Sequence, residues 1–319
     1  MEQKKISSKD LAWLIRRHSV EMTHLSKGSH IASVLSVADI IAVLYAQIMH
    51  YRVNDPLWDN RDRMILSKGH AGAAIYAALA ECGFFDVQEL KTHYQDGSRL
   101  SGHVSHHVPG VDFSTGSLGH GLSVATGIAY AAAKSGKTFK TYAVLGDGEC
   151  DEGSVWEAAM FANQFHLSNL IAIVDYNKMQ SMDFCEKTIS LDPLTDKWKS
   201  FGWNVTRVDG NNHRQLAEAL SQHGDKPAPT MIIADRLKGY GIPFMQNDIL
   251  WHYRFPHEGW EYDAAVAELH RIKPDSVEDP YTPAGVAYPT IPPDADIYND
   301  HTTSATWKPS SFKLNDTDL

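Results

Sequence analysis

Two segments decide the fold: Thr141-Tyr-Ala-Val-Leu-Gly146-Asp147-Gly148-Glu149, and Leu170-Ile-Ala-Ile-Val-Asp175-Tyr-Asn177-Lys178-Met179. Each opens on a short β-rich run and ends on a polar residue, and the stretch Val155–Phe165 between them has helical periodicity. Strand, turn, helix, strand is the unit of a parallel sheet with a right-handed crossover. That connection puts Asp147 and Asn177, thirty residues apart, at the same sheet edge. Gly146 and Gly148 allow positive φ and let backbone N–H groups come close to a phosphate. A carboxylate and an amide oxygen are hard ligands that suit Mg²⁺ or Ca²⁺, and Mg²⁺ usually completes its octahedron with phosphate oxygens. A metal-bridged diphosphate is the ligand this edge implies. The alternative for each piece alone is plain: Gly-Asp-Gly is ordinarily a tight turn, and Asn177 could cap a helix.

Further β-rich runs occur at Met64–Leu66, Val205–Val208 and Thr230–Ala234, and another helical pattern spans Leu122–Lys134. The pattern predicts an α/β fold with a mainly parallel sheet flanked by helices. Ser36-Val-Ala-Asp39 reads as a helix N-cap followed by an apolar face through Leu44 and Ile48. The glycines of Gly116–Gly121 precede a helix rich in small residues, whose free N–H groups and dipole favour an anion. Four histidines fall in loop-like stretches, His30, His70, His103 and His252. Singly, each is ordinarily a surface or cap residue; beside glycine loops, together, they suit proton handling near neutral pH.

Net charge is -10 with no Lys/Arg-rich run, which argues against nucleic acid or an anionic membrane as partner. No apolar run is expected to reach the roughly 18 residues of a membrane span. Three cysteines without metal spacing and a charged, apolar-poor start predict a cytoplasmic protein. From Pro274 onward Pro, Asp, Ser and Thr dominate, so the domain is expected over 1–272 and a tail over 273–319. The tail reads equally as mobile or as an arm lying on a partner chain, anchored by Tyr281, Tyr288, Tyr298, Trp307 and Phe312.

Gly-Asp-Gly followed after about thirty residues by Asn resembles the thiamine-diphosphate signature, and three more segments narrow the likeness to transketolases. Arg61-Asp-Arg-Met-Ile-Leu-Ser67-Lys-Gly69-His70 is similar to a cofactor-phosphate segment. Ser101-Gly-His103, with Ser114-Thr-Gly116-Ser-Leu118-Gly119-His120-Gly121, is similar to the next block, and Lys238-Gly239-Tyr-Gly241 with Trp251-His252 to a later one. The resemblance covers roughly Leu11 to Ala267. It implies that Asp147, Asn177 and the Met179 carbonyl hold Mg²⁺ or Ca²⁺. It further implies that His70, Gly116, Ser117, Leu118, Gly148, Asn177 and His252 meet thiamine diphosphate. His30, His103 and His252 would serve catalysis on a sugar phosphate. Glu152 would lie at a subunit interface, or else be a helix N-terminal acid favourable to the dipole. Two positions depart from the family: Ile31-Ala32 follows His30 where a small turn is common, and His120 stands where many relatives carry Gln.

A whole transketolase is about twice this length. The likeness is therefore to the N-terminal, diphosphate-binding subunit of a split enzyme, moving a two-carbon ketol unit from a ketose phosphate to an aldose. It would be active only with a C-terminal, pyrimidine-binding partner, as a heterotetramer. The alternatives are the α subunit of a thiamine-dependent 2-oxoacid dehydrogenase and a non-catalytic cofactor-binding or assembly subunit.

Overall fold

The computed structural model describes residues 6–222, 227–282 and 286–288. Five strands, β1 (Arg63–Leu66), β2 (Thr141–Gly146), β3 (Leu170–Tyr176), β4 (Asn204–Asp209) and β5 (Thr230–Asp235), form one sheet in the order β1-β2-β3-β5-β4. All four pairings are parallel, with Gly146 level with Asp175 and Tyr176 level with Asp235. Every strand therefore ends at one edge, and the loops after β1, β2, β3 and β5 share it. All five strands are legible in the sequence to within one residue at each end.

The alternation of β strands divides the core into two layers. Tyr142, Val144, Ile171, Ile173, Ile232 and Ala234 face one side, packed with residues of α2 (Ile31–Val43), α3 (Gly72–Glu81) and α8 (His213–Ser221). Ala143, Leu145, Ala172, Val174, Met231 and Ile233 face the other, packed with α4 (His120–Lys134), α5 (Gly153–Gln164) and α7 (Leu194–Ser200). The helix α1 (Ser8–Ser26), capped by the Ser7 hydroxyl accepting from Asp10 N, packs on α2 and α9 (Trp260–Arg271). The short α6 (Cys185–Thr188) follows the loop after β3.

The helix expected to begin at Ser36 begins five residues earlier, at Ile31, and Ser36 is not its cap. Its hydroxyl donates to Asp175 Oδ1 at 2.6 Å, and every residue from Ile31 to Val43 is buried. A helix apolar all round sits in a core, so no amphipathic face marks its start. This also corrects the expectation about apolar length. Ile31–Ile48 is an 18-residue stretch apolar enough to cross a membrane, and the fold buries 83% of it.

From Lys273 to Thr282 the chain stays on the body. Val277 is buried, Asp279 pairs with Arg17 at 3.0 Å, and Tyr281 OH meets His18 Nδ1 at 2.7 Å. The Tyr288 ring stacks on His270 with centroids 3.4 Å apart. Tyr281 and Tyr288, considered as anchors on a partner, thus lie on this chain's own α1 and α9. Arg17 supplies both a cationic partner for the Asp279 carboxylate and a cation over the Tyr281 ring. Tyr298, Trp307 and Phe312 fall outside the described residues.

Candidate active site

The shared sheet edge opens on a cleft of about 570 Å³. Its metal end is set by the ends of β2 and β3. Asp147, 2% exposed, accepts from Gly148 N at 2.8 Å through Oδ1 and from Lys178 N through Oδ2. Burial, reinforced by the nearby Asp175 carboxylate, pushes the Asp147 carboxyl up to about 6. Asn177 is buried beside it, its Oδ1 accepting from Met179 N at 3.2 Å. The Met179 carbonyl accepts from Lys238 Nζ at 3.0 Å, which shows it drawing a cation. Among the described residues no group of three His, Cys, Asp or Glu side chains is placed to hold a metal. A carboxylate, an amide oxygen and a carbonyl fit a hard divalent ion that takes its remaining ligands from phosphate and water.

Glycine loops close around this end because side chains there would collide. A Cβ on Gly69 would lie 2.5 Å from the Thr115 backbone, and one on Gly121 2.6 Å from Ser67 Cα. The carboxylate of Glu149, 1% exposed, ties the loops: it accepts from Ser67 Oγ, from Gly119 N at 2.8 Å and from Gly146 N at 3.0 Å. These contacts bring the start of α4 to the cleft with its N-terminal dipole. Gly116, Leu118 and Gly148 line it.

The four histidines gather at the other end. His30 stands 5.0 Å from His70, 5.9 Å from His103 and 5.3 Å from His252, ring centre to ring centre. His30 takes a left-handed φ of 74° immediately before α2, so the chain passes directly from this histidine into the helix at Ile31. That resolves the shape of the departure at Ile31-Ala32. Burial pulls His30 down to about 4 and His252 to about 2, aided at His30 by His103 and at His252 by Lys238; it lowers His70 as well. His30, His70 and His252 are thus neutral imidazoles near pH 7, each able to donate once and accept once.

Of the residues expected here, all but one line the cleft, with Glu152 exposed on its rim at the start of α5. Ser117 does not line it, whereas its neighbours Gly116 and Leu118 do. His120 is exposed as the first residue of α4 and does not line it either.

Several residues carry the site without having been assigned a role from sequence. Lys68, 1% exposed, pairs with the fully buried Asp175 at 2.5 Å, and Ser36 closes that group. Lys238 holds Met179 and His252, and Ser33, Gln180 and Tyr253 also line the cleft. A lysine inside an otherwise apolar or glycine-rich motif was the available signal for Lys68 and Lys238.

The lowered histidines make the ligand-free chain sensitive to acid. His93, 4% exposed behind the site, is also pulled to about 4 by burial. Unfolded, these rings protonate below about pH 6.5, whereas folded His30 and His93 wait until about 4. Stability should be full above pH 6.5 and fall as pH drops toward 4, by up to about 3 kcal/mol for His93 alone. Urea denaturation at pH 7.5 and 5.0 checks this; equal midpoints would mean the folded rings take up protons freely.

With the geometry in place, comparison with known proteins gives a consistent answer. Residues 7–254 match the family "Transketolase, thiamine diphosphate binding domain". The chain is 39% identical over 274 residues to the 6-deoxy-6-sulfo-D-fructose transketolase subunit of Clostridium sp. (strain MSTE9), covering 85% of this chain and 99% of that one. It is 38% identical over 255 residues to an apulose-4-phosphate transketolase subunit of Phocaeicola vulgatus, covering 80% and 90% respectively. The crystal structure of transketolase from Campylobacter jejuni superposes with a TM-score of 0.77 at 26% identity, over 83% of this chain and only 42% of that one. The chain therefore spans nearly the whole of two curated subunits and about two fifths of a full-length transketolase. The family match sets aside the 2-oxoacid dehydrogenase alternative. Fold, cleft and sequence likeness agree that this chain belongs to the transketolase family, as its thiamine-diphosphate-binding domain.

Proposed function

We propose that this chain is the diphosphate-holding subunit of a two-chain transketolase that transfers a two-carbon ketol unit between sugar phosphates. The observation that carries the reading is one of length set against site. The chain matches relatives named as subunits almost end to end, yet its cleft lies in a part corresponding to two fifths of a full-length enzyme. A ligand held here by its diphosphate would extend to an interface, where a pyrimidine-binding partner completes the site.

In this reading Asp147, Asn177 and the Met179 carbonyl hold Mg²⁺ or Ca²⁺, and the metal joins the diphosphate to the protein. Gly148, Gly116, Leu118 and His70 surround the diphosphate. Bound thiamine diphosphate supplies the nucleophilic carbon and electron sink for the transfer. His30 and His103 stand on the substrate side, close enough to hold donor hydroxyls and pass protons. Glu152, exposed on the rim, meets the partner, and two copies of each chain make a heterotetramer in the cytoplasm.

The test is reconstitution. The chain alone should bind thiamine diphosphate only with Mg²⁺ or Ca²⁺ and turn over no ketose phosphate. Mixing it with a pyrimidine-binding chain encoded beside it should restore ketol transfer from a ketose phosphate to an aldose. Turnover by the isolated chain, or none by the stoichiometric complex across a panel of ketose phosphates, would overturn the reading.

A further inference from the structure

Lys238, on the loop after β5, and His252, in the turn Ile249–His252, meet inside the cleft wall. Both are buried, at 1% and 7% exposure. Lys238 Nζ stands 2.7 Å from His252 Nδ1 and 3.0 Å from the Met179 carbonyl oxygen. Burial pulls the Lys238 amine down to about 8, so at pH 7 it is an ammonium, with three donors and no acceptor, and a carbonyl oxygen only accepts. Nζ therefore donates in both directions, and His252 must offer a lone pair at Nδ1. Burial and the neighbouring cation keep this imidazole neutral, so it carries one proton and not two. With Nδ1 accepting from the ammonium, the ring's single proton is on Nε2.

We propose that Lys238 is a positioning residue that fixes His252 as the Nε2–H tautomer, making it a hydrogen-bond donor in the cleft rather than a proton acceptor. The inference deepens the proposed function and rests on it for the ligand: an Nε2–H suits an electron-rich oxygen, whether of a phosphate or of a sugar carbonyl. It also divides labour within the cluster. His30, whose buried Nδ1 has no partner among the described residues, keeps an uncommitted nitrogen, whereas His252 does not. Lys238 thereby couples the two ends of the cleft, since the same ammonium holds the carbonyl expected at the metal and the histidine expected at the substrate.

The experiment is long-range ¹H–¹⁵N correlation of the histidine-labelled chain at pH 7.0, below the Lys238 value of about 8, without metal or cofactor, with His252 assigned by its loss in His252→Gln. The expected wild-type pattern is a protonated Nε2 and an unprotonated Nδ1. Lys238→Met should shift the ring toward the Nδ1–H form or a mixture, and Lys238→Arg, which also offers only donors, should restore the wild-type pattern. A wild-type ring protonated on Nδ1 overturns the proposal. So does a folded Lys238→Met chain that keeps a pure Nε2–H ring. Should Lys238→Met fail to fold, the wild-type and Lys238→Arg spectra still decide: a ring in Lys238→Arg that leaves the Nε2–H form counts against the proposal. This readout involves neither cofactor nor turnover. A wild-type chain that fails to bind thiamine diphosphate would count against the proposed function while leaving the tautomer result standing.

Discussion

Asp147→Ala is expected to abolish metal-dependent binding of thiamine diphosphate. The carboxylate is the one charged donor among the three oxygens at the ends of β2 and β3, and it is held rigidly by Gly148 N and Lys178 N. Removing it leaves an amide oxygen and a carbonyl, neither of which offsets the cost of dehydrating a divalent ion. Loss of a residue that merely orients a metal ligand typically costs 10–100-fold in affinity, so loss of the ligand itself should exceed about 100-fold. Isothermal titration of the cofactor into the chain with saturating Mg²⁺, against the same titration in chelator, reads the effect. Undiminished binding by the variant, or wild-type binding that ignores the chelator, would sink the assignment of the metal end. A far-ultraviolet spectrum matching wild type confirms that the fold survives, as expected for a truncation at a loop.

Asp175→Asn should produce a large loss of stability for a single polar change. Asp175 is fully buried at the end of β3, accepting from Lys68 Nζ at 2.5 Å and from Ser36 Oγ at 2.6 Å. Neutralising it leaves the Lys68 ammonium, itself 1% exposed, with amide and carbonyl oxygens but no compensating charge beside it. Breaking a buried pair from one side costs about 3–5 kcal/mol because the other charge is left uncompensated. The double variant Lys68→Met/Asp175→Leu should recover most of that loss, since apolar replacement of both partners is often close to neutral. Guanidinium denaturation of the three chains tests the argument. A single variant within about 1 kcal/mol of wild type would mean that water or a shifted lysine relieves the charge. Lys68 and Asp175 lie beneath the cleft, so the pair also fixes the floor on which the diphosphate would rest.

Much of this is readable before any coordinates. The strands β1, β2, β3, β4 and β5 stand out because β-branched runs bounded by glycine and polar residues carry a local signal. Helices α4 and α5 are legible for the same reason, with ends displaced by one or two residues. The site is half legible: the thirty-residue spacing of Asp147 and Asn177 follows from one crossover, and the four histidines are conspicuous as loop residues beside glycines. Ser117 shows where such reading stops: it stands outside the cleft lining between Gly116 and Leu118, and a motif of consecutive residues cannot say which of them line a cavity. The start of α2 escapes it because a helix buried on every side has no polar face to mark its beginning, and a serine in its interior imitates a cap.

The sequence by itself determined a parallel α/β sheet, the edge on which its ligands gather, and the residue types available there. It could do so because periodicity and turn chemistry act over a few residues. Only the tertiary structure decided the pairings. Ser36, Lys68 and Asp175 are separated by up to 139 positions, and Glu149 reaches back 82 to Ser67. The Lys238 ammonium selects two acceptors, Met179 and His252, from different loops. Such contacts depend on how successive crossovers stack the loops at the sheet edge. Burial then makes each pairing obligatory, since a polar group removed from water must find a partner.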